Sequence, residues 1–157
     1  MYWTGESYFG LGTSAASMLT ASEYDELAKV NTSLPKRPQN TVRARLVVLD
    51  APRKIAEGAS LFSTEFDVEF LTQREAVAED LMLHARLMEP ISPALLDEAE
   101  LVFGASRLHD VFDACVRDGL LVHVDAANSR IGTSYKPTEK GWLLGNELYG
   151  RLWDLRL

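Results

Sequence analysis

This chain is poor in the residues from which reactive centres are most often built. Its 157 residues hold one cysteine, Cys115, and three histidines, His84, His109 and His123. A single thiol excludes an intramolecular disulfide, and equally any zinc or iron–sulfur site assembled from several thiolates of this chain. It fits a reducing, cytoplasmic setting. The histidines are scattered, so no local metal motif is written and each reads as a boundary residue rather than a ligand. Cationic charge is short as well. Sixteen Lys and Arg against 23 Asp and Glu leave a formal charge of −7, which argues against a phosphate-backbone partner unless a basic face is strongly localised. Long apolar runs are missing, as is an N-terminal basic region leading into an apolar one, so neither a membrane span nor a signal peptide is expected.

Other chemistry is missing too. There is no Gly-x-Ser-x-Gly elbow, and Thr13-Ser14 has no histidine nearby in sequence. Glu79 and Asp80 are adjacent on a helical stretch and point about 100° apart, so they do not converge as an acid/base pair. Cys115 sits on an apolar stripe and reads as a small buried hydrophobe.

What is present begins with residues 2–17, YWTGESYFGLGTSAAS. Tyr2, Trp3, Tyr8 and Phe9 surround Gly5, Gly10 and Gly12, and a run of small residues follows. The pattern suggests a short strand ending in a turn whose backbone a ligand could approach. It lacks the third glycine of a dinucleotide loop and the Gly-Lys-Ser/Thr of a phosphate loop, so an ordinary strand and turn is the favoured reading. Residues 22–30 suit a short helix capped by Ser22. Pro35 and Pro38 break regular structure, and residues 42–50, VRARLVVLD, alternate as a strand does. Arg37, Arg43, Arg45, Arg53 and Lys54 form the most basic part of the chain, read as a solvated face or linker. Residues 56–68 read as loop.

Helical signals dominate from Leu71. Thr72-Gln73-Arg74-Glu75 has the form of a capping box, opening a helix to about Met88. Ser92-Pro93 starts a second helix that ends near Gly104. Ser106 opens a third, with Leu108, Val111, Phe112, Cys115 and Val116 on one face and Gly119 at its C-cap. Residues 120–125 and 131–136 form a hairpin around the 126–130 connection. Thr138 caps a terminal helix striped by Leu144, Leu148, Leu152 and Leu155. Gly141, Gly145 and Gly150 weaken that helix, so close packing should hold it. The fold class expected is mainly α with a small β part: three helices, a β-hairpin and a terminal helix in a winged-helix-like order over residues 71–157, preceded by an arm over residues 1–70. The third helix sets Arg107 and Arg117 against Asp110, Asp113 and Asp118, and residues 70–157 hold nine Lys and Arg against fourteen Asp and Glu. That balance argues for a protein-interaction or regulatory module and against DNA binding.

Three stretches in order, YWTGESYFGLGTSAAS, EFLTQREAVAEDLMLHARL and YKPTEKGWLLGNELYGRLW, resemble the C-terminal part of the oxygen-independent coproporphyrinogen III oxidase-like radical SAM proteins, the HemN/HemW family. The resemblance implies that residues 1–70 carry the last strand and turn of a (β/α) barrel and that residues 71–157 are the appended helical domain. In that family a CxxxCxxC loop of the barrel holds a [4Fe–4S] cluster, the interior binds S-adenosylmethionine, and porphyrinogen oxidation or haem transfer follows. None of the cluster cysteines occurs here, so the chain is expected to be catalytically incomplete and to carry no cofactor alone. Its implied partners are the missing barrel, a tetrapyrrole, and a second copy through an exposed N-terminal arm. The short terminus looks more like the haem-chaperone branch. By the resemblance Ala16 falls at a position of the S-adenosylmethionine pocket where the decarboxylase branch has a larger aliphatic residue, with Gly10 and Gly12 shaping the turn beside it. No residue is implied to be catalytic.

Overall fold

The structure, a computed structural model, describes residues 6–10, 12–50, 52–58, 60–125 and 133–157. The readings placed on Tyr2, Trp3, Gly5 and the 126–130 connection lie outside them. It is mixed, mainly α with a small β part, and its described residues divide into two compact units, 6–73 and 74–157.

The first unit runs β1 (Ala16–Thr20), α1 (Ala21–Val30), β2 (Thr41–Val48), α2 (Pro52–Ala56) and β3 (Phe66–Thr72). The three strands form an antiparallel sheet in the order β1-β2-β3. Alternation decides its faces. Leu19, Ala44, Leu46, Phe66, Val68 and Phe70 pack towards Tyr24 and Leu27 of α1. On the opposite face Met18, Arg45 and Glu69 lie in one row across the strands, and Arg45 and Glu69 form an ion pair. Helix α1 is capped by Thr20, not Ser22. The Thr20 hydroxyl accepts from the Glu23 amide while the Glu23 carboxylate accepts from the Thr20 amide, because Thr-x-x-Glu closes both ends of a capping box and Ser22 has no such partner. Residues 66–68, read from sequence as loop, belong to β3, whose Phe-Asp-Val-Glu-Phe alternation is a strand period.

The second unit runs α3 (Gln73–His84), α4 (Pro93–Phe103), α5 (Ala105–Arg117), the hairpin β4 (Leu121–Asp125) and β5 (Thr133–Pro137), then α6 (Glu139–Leu143), α7 (Gly145–Trp153) and a closing 3-10 turn, Asp154–Arg156. Helix α3 stops four residues short of Met88. Arg86 and Leu87 bond to carbonyls three residues back, and Met88 has a φ of 58°, which an α-helix cannot continue through. Ser92 caps α4 through the Leu95 amide, with Pro93 at the first position. Helix α5 begins at Ala105 and ends in a Schellman motif: the amides of Gly119, at φ 72°, and Leu120 bond to the carbonyls of Val116 and Cys115. The terminal helix is broken at Leu144, whose φ and ψ of −97° and 38° leave the helical region. Consequently Leu148, Leu152 and Leu155 of the expected stripe are buried while Leu144 is 49% exposed.

The core of this unit gathers Leu81, Ile91, Leu96, Leu108, Phe112, Cys115, Leu120, Leu148 and Leu152. Ile91, between α3 and α4, also donates its amide to the Tyr135 carbonyl of β5 and accepts from the Ser134 hydroxyl through its own carbonyl. Arg74 at the start of α3 spends its guanidinium on the carbonyls of Val102, Leu155 and Arg156, at 2.8, 3.1 and 3.3 Å, with Phe103 beneath it. Two ends, those of α4 and of the closing 3-10 turn, are thereby tied by one side chain.

Candidate functional site

The turn before β1 holds the residues singled out by sequence. Tyr8 and Met18 exchange backbone hydrogen bonds of 2.8 and 2.9 Å, so Tyr8 lies along the outer edge of β1. Between them Gly10 donates its amide to the buried Ser17 hydroxyl at 3.0 Å, Ala15 donates to the Gly12 carbonyl, and Ser14 donates to the Val48 carbonyl. A Cβ on Gly10 would stand 2.2 Å from the Ala16 carbonyl oxygen, nearer than any side chain tolerates. Gly12 takes a φ of 111° and Ser14 one of 57°. The glycine at position 10 is thus required by the chain's own approach to β1. Amides of Gly10, Ser14 and Ala15 are committed internally, which leaves them unable to cradle an anion in the manner of a phosphate loop. Ala16 is half-buried, opposite Val47 on the sheet face away from α1. The structure brings Gly10 and Ala16 together and sets Gly12 at the turn.

The basic stretch resolves into ion pairs. Arg37 binds Asp25 through two nitrogens, Arg53 binds Glu57, and Lys54 binds the buried Asp50 at 2.7 Å. With Arg45 on Glu69, these cations are neutralised by local carboxylates, as a solvated face requires and a phosphate-binding patch does not. Asp25 holds its proton less readily than usual because of the Arg37 hydrogen bond, and Lys54 holds its own more tightly because of Asp50. Asn31, wholly enclosed at the C-cap of α1, donates to the carbonyls of Leu61 and Thr64 at 2.9 Å and accepts from the amide and hydroxyl of Ser33.

In the second unit the histidines serve separate ends. The His84 ring meets the Asp80 carbonyl, His109 meets the Glu100 carboxylate at 3.1 Å, and His123 stacks against Tyr135. No cluster of three or more His, Cys, Asp or Glu with metal-binding geometry occurs among the described residues. Cys115 is enclosed in the core, and burial pushes its thiol up, the reverse of what a nucleophilic thiolate needs. Sequence reasoning passed over one concavity. Trp142, Leu143, Leu144, Gly145, Asn146, Glu147 and Tyr149 line an open groove of about 500 Å³ at the α6–α7 break. Trp142 and Leu143 are 54% and 67% exposed there. Its signal in sequence was Gly145, where a Cβ would come within 2.5 Å of the Tyr149 ring. The groove offers the rings of Trp142 and Tyr149, the Asn146 amide and the Glu147 carboxylate, which Arg151 already pairs, and no Ser, Cys, His or Lys among the described residues lines it.

Compared with protein-family models, curated proteins and solved structures, the chain matches none.

Proposed function

We propose that this chain is the C-terminal portion of a HemN/HemW-like protein, catalytically incomplete alone. In this reading residues 71–157 form a winged-helix-like module that packs on the radical SAM barrel and helps cover a tetrapyrrole. The observation that carries the reading is the ordered three-part resemblance. Of the three stretches, the described part of the first leads into β1, the second runs from β3 through α3, and the third spans β5, α6 and α7. The winged-helix-like description rests on the order α3, the Ile91 bridge to β5, α4, α5 and the β4-β5 hairpin. A [4Fe–4S] cluster does not fit the residues present, since one buried thiol cannot supply three thiolate ligands. Gly10, Gly12 and Ala16 would contribute shape and no proton transfer to an S-adenosylmethionine pocket completed by the barrel.

Two measurements test this. Anaerobic reconstitution of the chain with iron and sulfide yields no stable cluster absorbance; a [4Fe–4S] spectrum from this polypeptide alone overturns incompleteness. Mixed with a family barrel lacking its own C-terminal region, the chain co-sediments; failure to associate overturns the packing role. The element order also favours a second reading, a free-standing winged-helix-like interaction module. Salt-dependent binding to duplex DNA at physiological ionic strength would promote that reading, against the acidic balance of α5.

A further inference from the structure

Strand β3 ends the sheet of the first unit. It bonds to β2 along one edge, and among the described residues no strand pairs with the other. An open edge presents a row of amides and carbonyls that templates another strand. The side chains along it alternate. Phe66, Val68 and Phe70 extend the apolar layer over α1 and remain half-buried, while Asp67 and Glu69 are exposed on the opposite face. The apolar layer is therefore unfinished at this edge, and the other face carries the exposed carboxylates of Asp67 and Glu69 before the buried Leu71. Strand β2 shows what complements such a pattern: Arg45 stands opposite Glu69, and Ala44 and Leu46 stand opposite Phe70 and Val68. Asp67 stands opposite Val47, with no ion pair among the described residues.

We infer that the outer edge of β3 accepts, by strand addition, an extended segment of a partner protein in which cationic and apolar side chains alternate. Cations of that segment lie beside Asp67 and Glu69, and its apolar residues complete the layer begun by Phe66, Val68 and Phe70. A second copy of this chain is a poor occupant. Antiparallel pairing of β3 with itself sets the carboxylates of both copies on one ladder, in a chain whose formal charge is −7. The inference stands apart from any tetrapyrrole role, because it concerns only the sheet edge.

The probe is a short blocked peptide alternating arginine and valine, added to the full chain, with a glutamate–valine peptide as control. Binding should slow hydrogen exchange at β3 amides and leave β2 amides unchanged. Asp67→Lys should weaken it roughly tenfold, the scale of turning one cross-strand attraction into repulsion, without moving the thermal midpoint. The inference is overturned by no binding, by equal binding of the glutamate peptide, by protection appearing elsewhere, or by loss of β2 protection through strand exchange. Concentration-dependent dimerisation protecting β3 would overturn it in favour of a second copy.

Discussion

In residues 74–157 the enclosed side chains are overwhelmingly hydrocarbon, with Leu81, Ile91, Leu108, Phe112, Leu148 and Leu152 removed from solvent together. Residues 6–73 enclose a smaller set, with Leu19, Tyr24, Leu27, Ala44 and Leu46 clustered and Met18, Val48 and Leu71 buried outside that cluster, and alongside them Ser17, Asn31, Thr41, Asp50 and Thr64. Even Tyr24 keeps a polar tie, donating its hydroxyl to the Pro35 carbonyl at 2.7 Å. The helical unit is held mainly by area withdrawn from water, which is non-directional and tolerant of local adjustment. The sheet unit relies more on bonds of fixed geometry, each costly to leave half-made. The difference teaches where each unit is fragile: the first at single polar groups and close backbone approaches, the second at its largest apolar side chains.

The sharpest break of the contrast is Phe112→Ala. Phe112 is wholly buried and its ring lies 4.4 Å from that of Tyr135, so truncation should cost about 3–5 kcal/mol, read by urea unfolding with amide exchange followed in α5. Next comes Gly10→Ala, which should destabilise β1 by about 1–3 kcal/mol because the new methyl meets a backbone carbonyl. Unchanged exchange at β1 would show that the turn can relax and that Gly10 is kept for another reason. Asn31→Ala should cost about 1–3 kcal/mol by leaving enclosed carbonyls without donors, measured by the urea midpoint; a loss below a few tenths would place the first unit's stability in its apolar layer after all.

The smallest effect expected is from Thr20→Ala, about 1 kcal/mol through loss of the α1 cap, and it carries a pH signature. Hydrogen bonds from the Thr20 amide and hydroxyl hold the Glu23 carboxyl below the usual glutamate range. The charged form is therefore favoured by folding. Its contribution is fully present above the unfolded-state value and is lost as pH falls through the folded one. Wild type should lose α1 stability on acidification through that window, and the variant should lose less; parallel acid curves would rule the capping box out as the source.

Local signals were legible where one residue type has one physical job. Gly119 at positive φ, Ser92 with Pro93, and Thr138 capping α6 through the Gly141 amide could all be read from sequence. The stripe Leu108, Phe112 and Cys115 likewise gave the buried face of α5. Features set by contacts distant in sequence were not legible. A Cβ on Gly141 would lie 2.0 Å from the Leu120 carbonyl oxygen, and only the tertiary arrangement says which backbone comes so close. The break at Leu144 depends on the same packing and hides inside a good heptad-like stripe. At the candidate site, the sequence marked Gly10 and Gly12 as backbone positions of consequence. It gave no indication that the Ser17 hydroxyl would occupy the Gly10 amide. The Ser17 side chain, read only as part of a small-residue run, is what occupies the Gly10 amide.

The junction between α5 and α6 carries one more implication. Thr138 donates its hydroxyl to the Gly119 carbonyl at 2.7 Å and its amide to the Leu120 carbonyl, Lys140 donates to the Asp118 carbonyl, and Gly141 presses against Leu120. Chain entering the hairpin and chain leaving it are thus buckled together at the base. Lengthening the segment between residues 125 and 133 would add only the slow logarithmic cost of a longer closed loop, roughly 0.6 kcal/mol per doubling. That makes this span the natural place for such a protein to diversify, or for an experimenter to graft an epitope or fluorophore, while the buckle keeps the insertion from propagating into the helices.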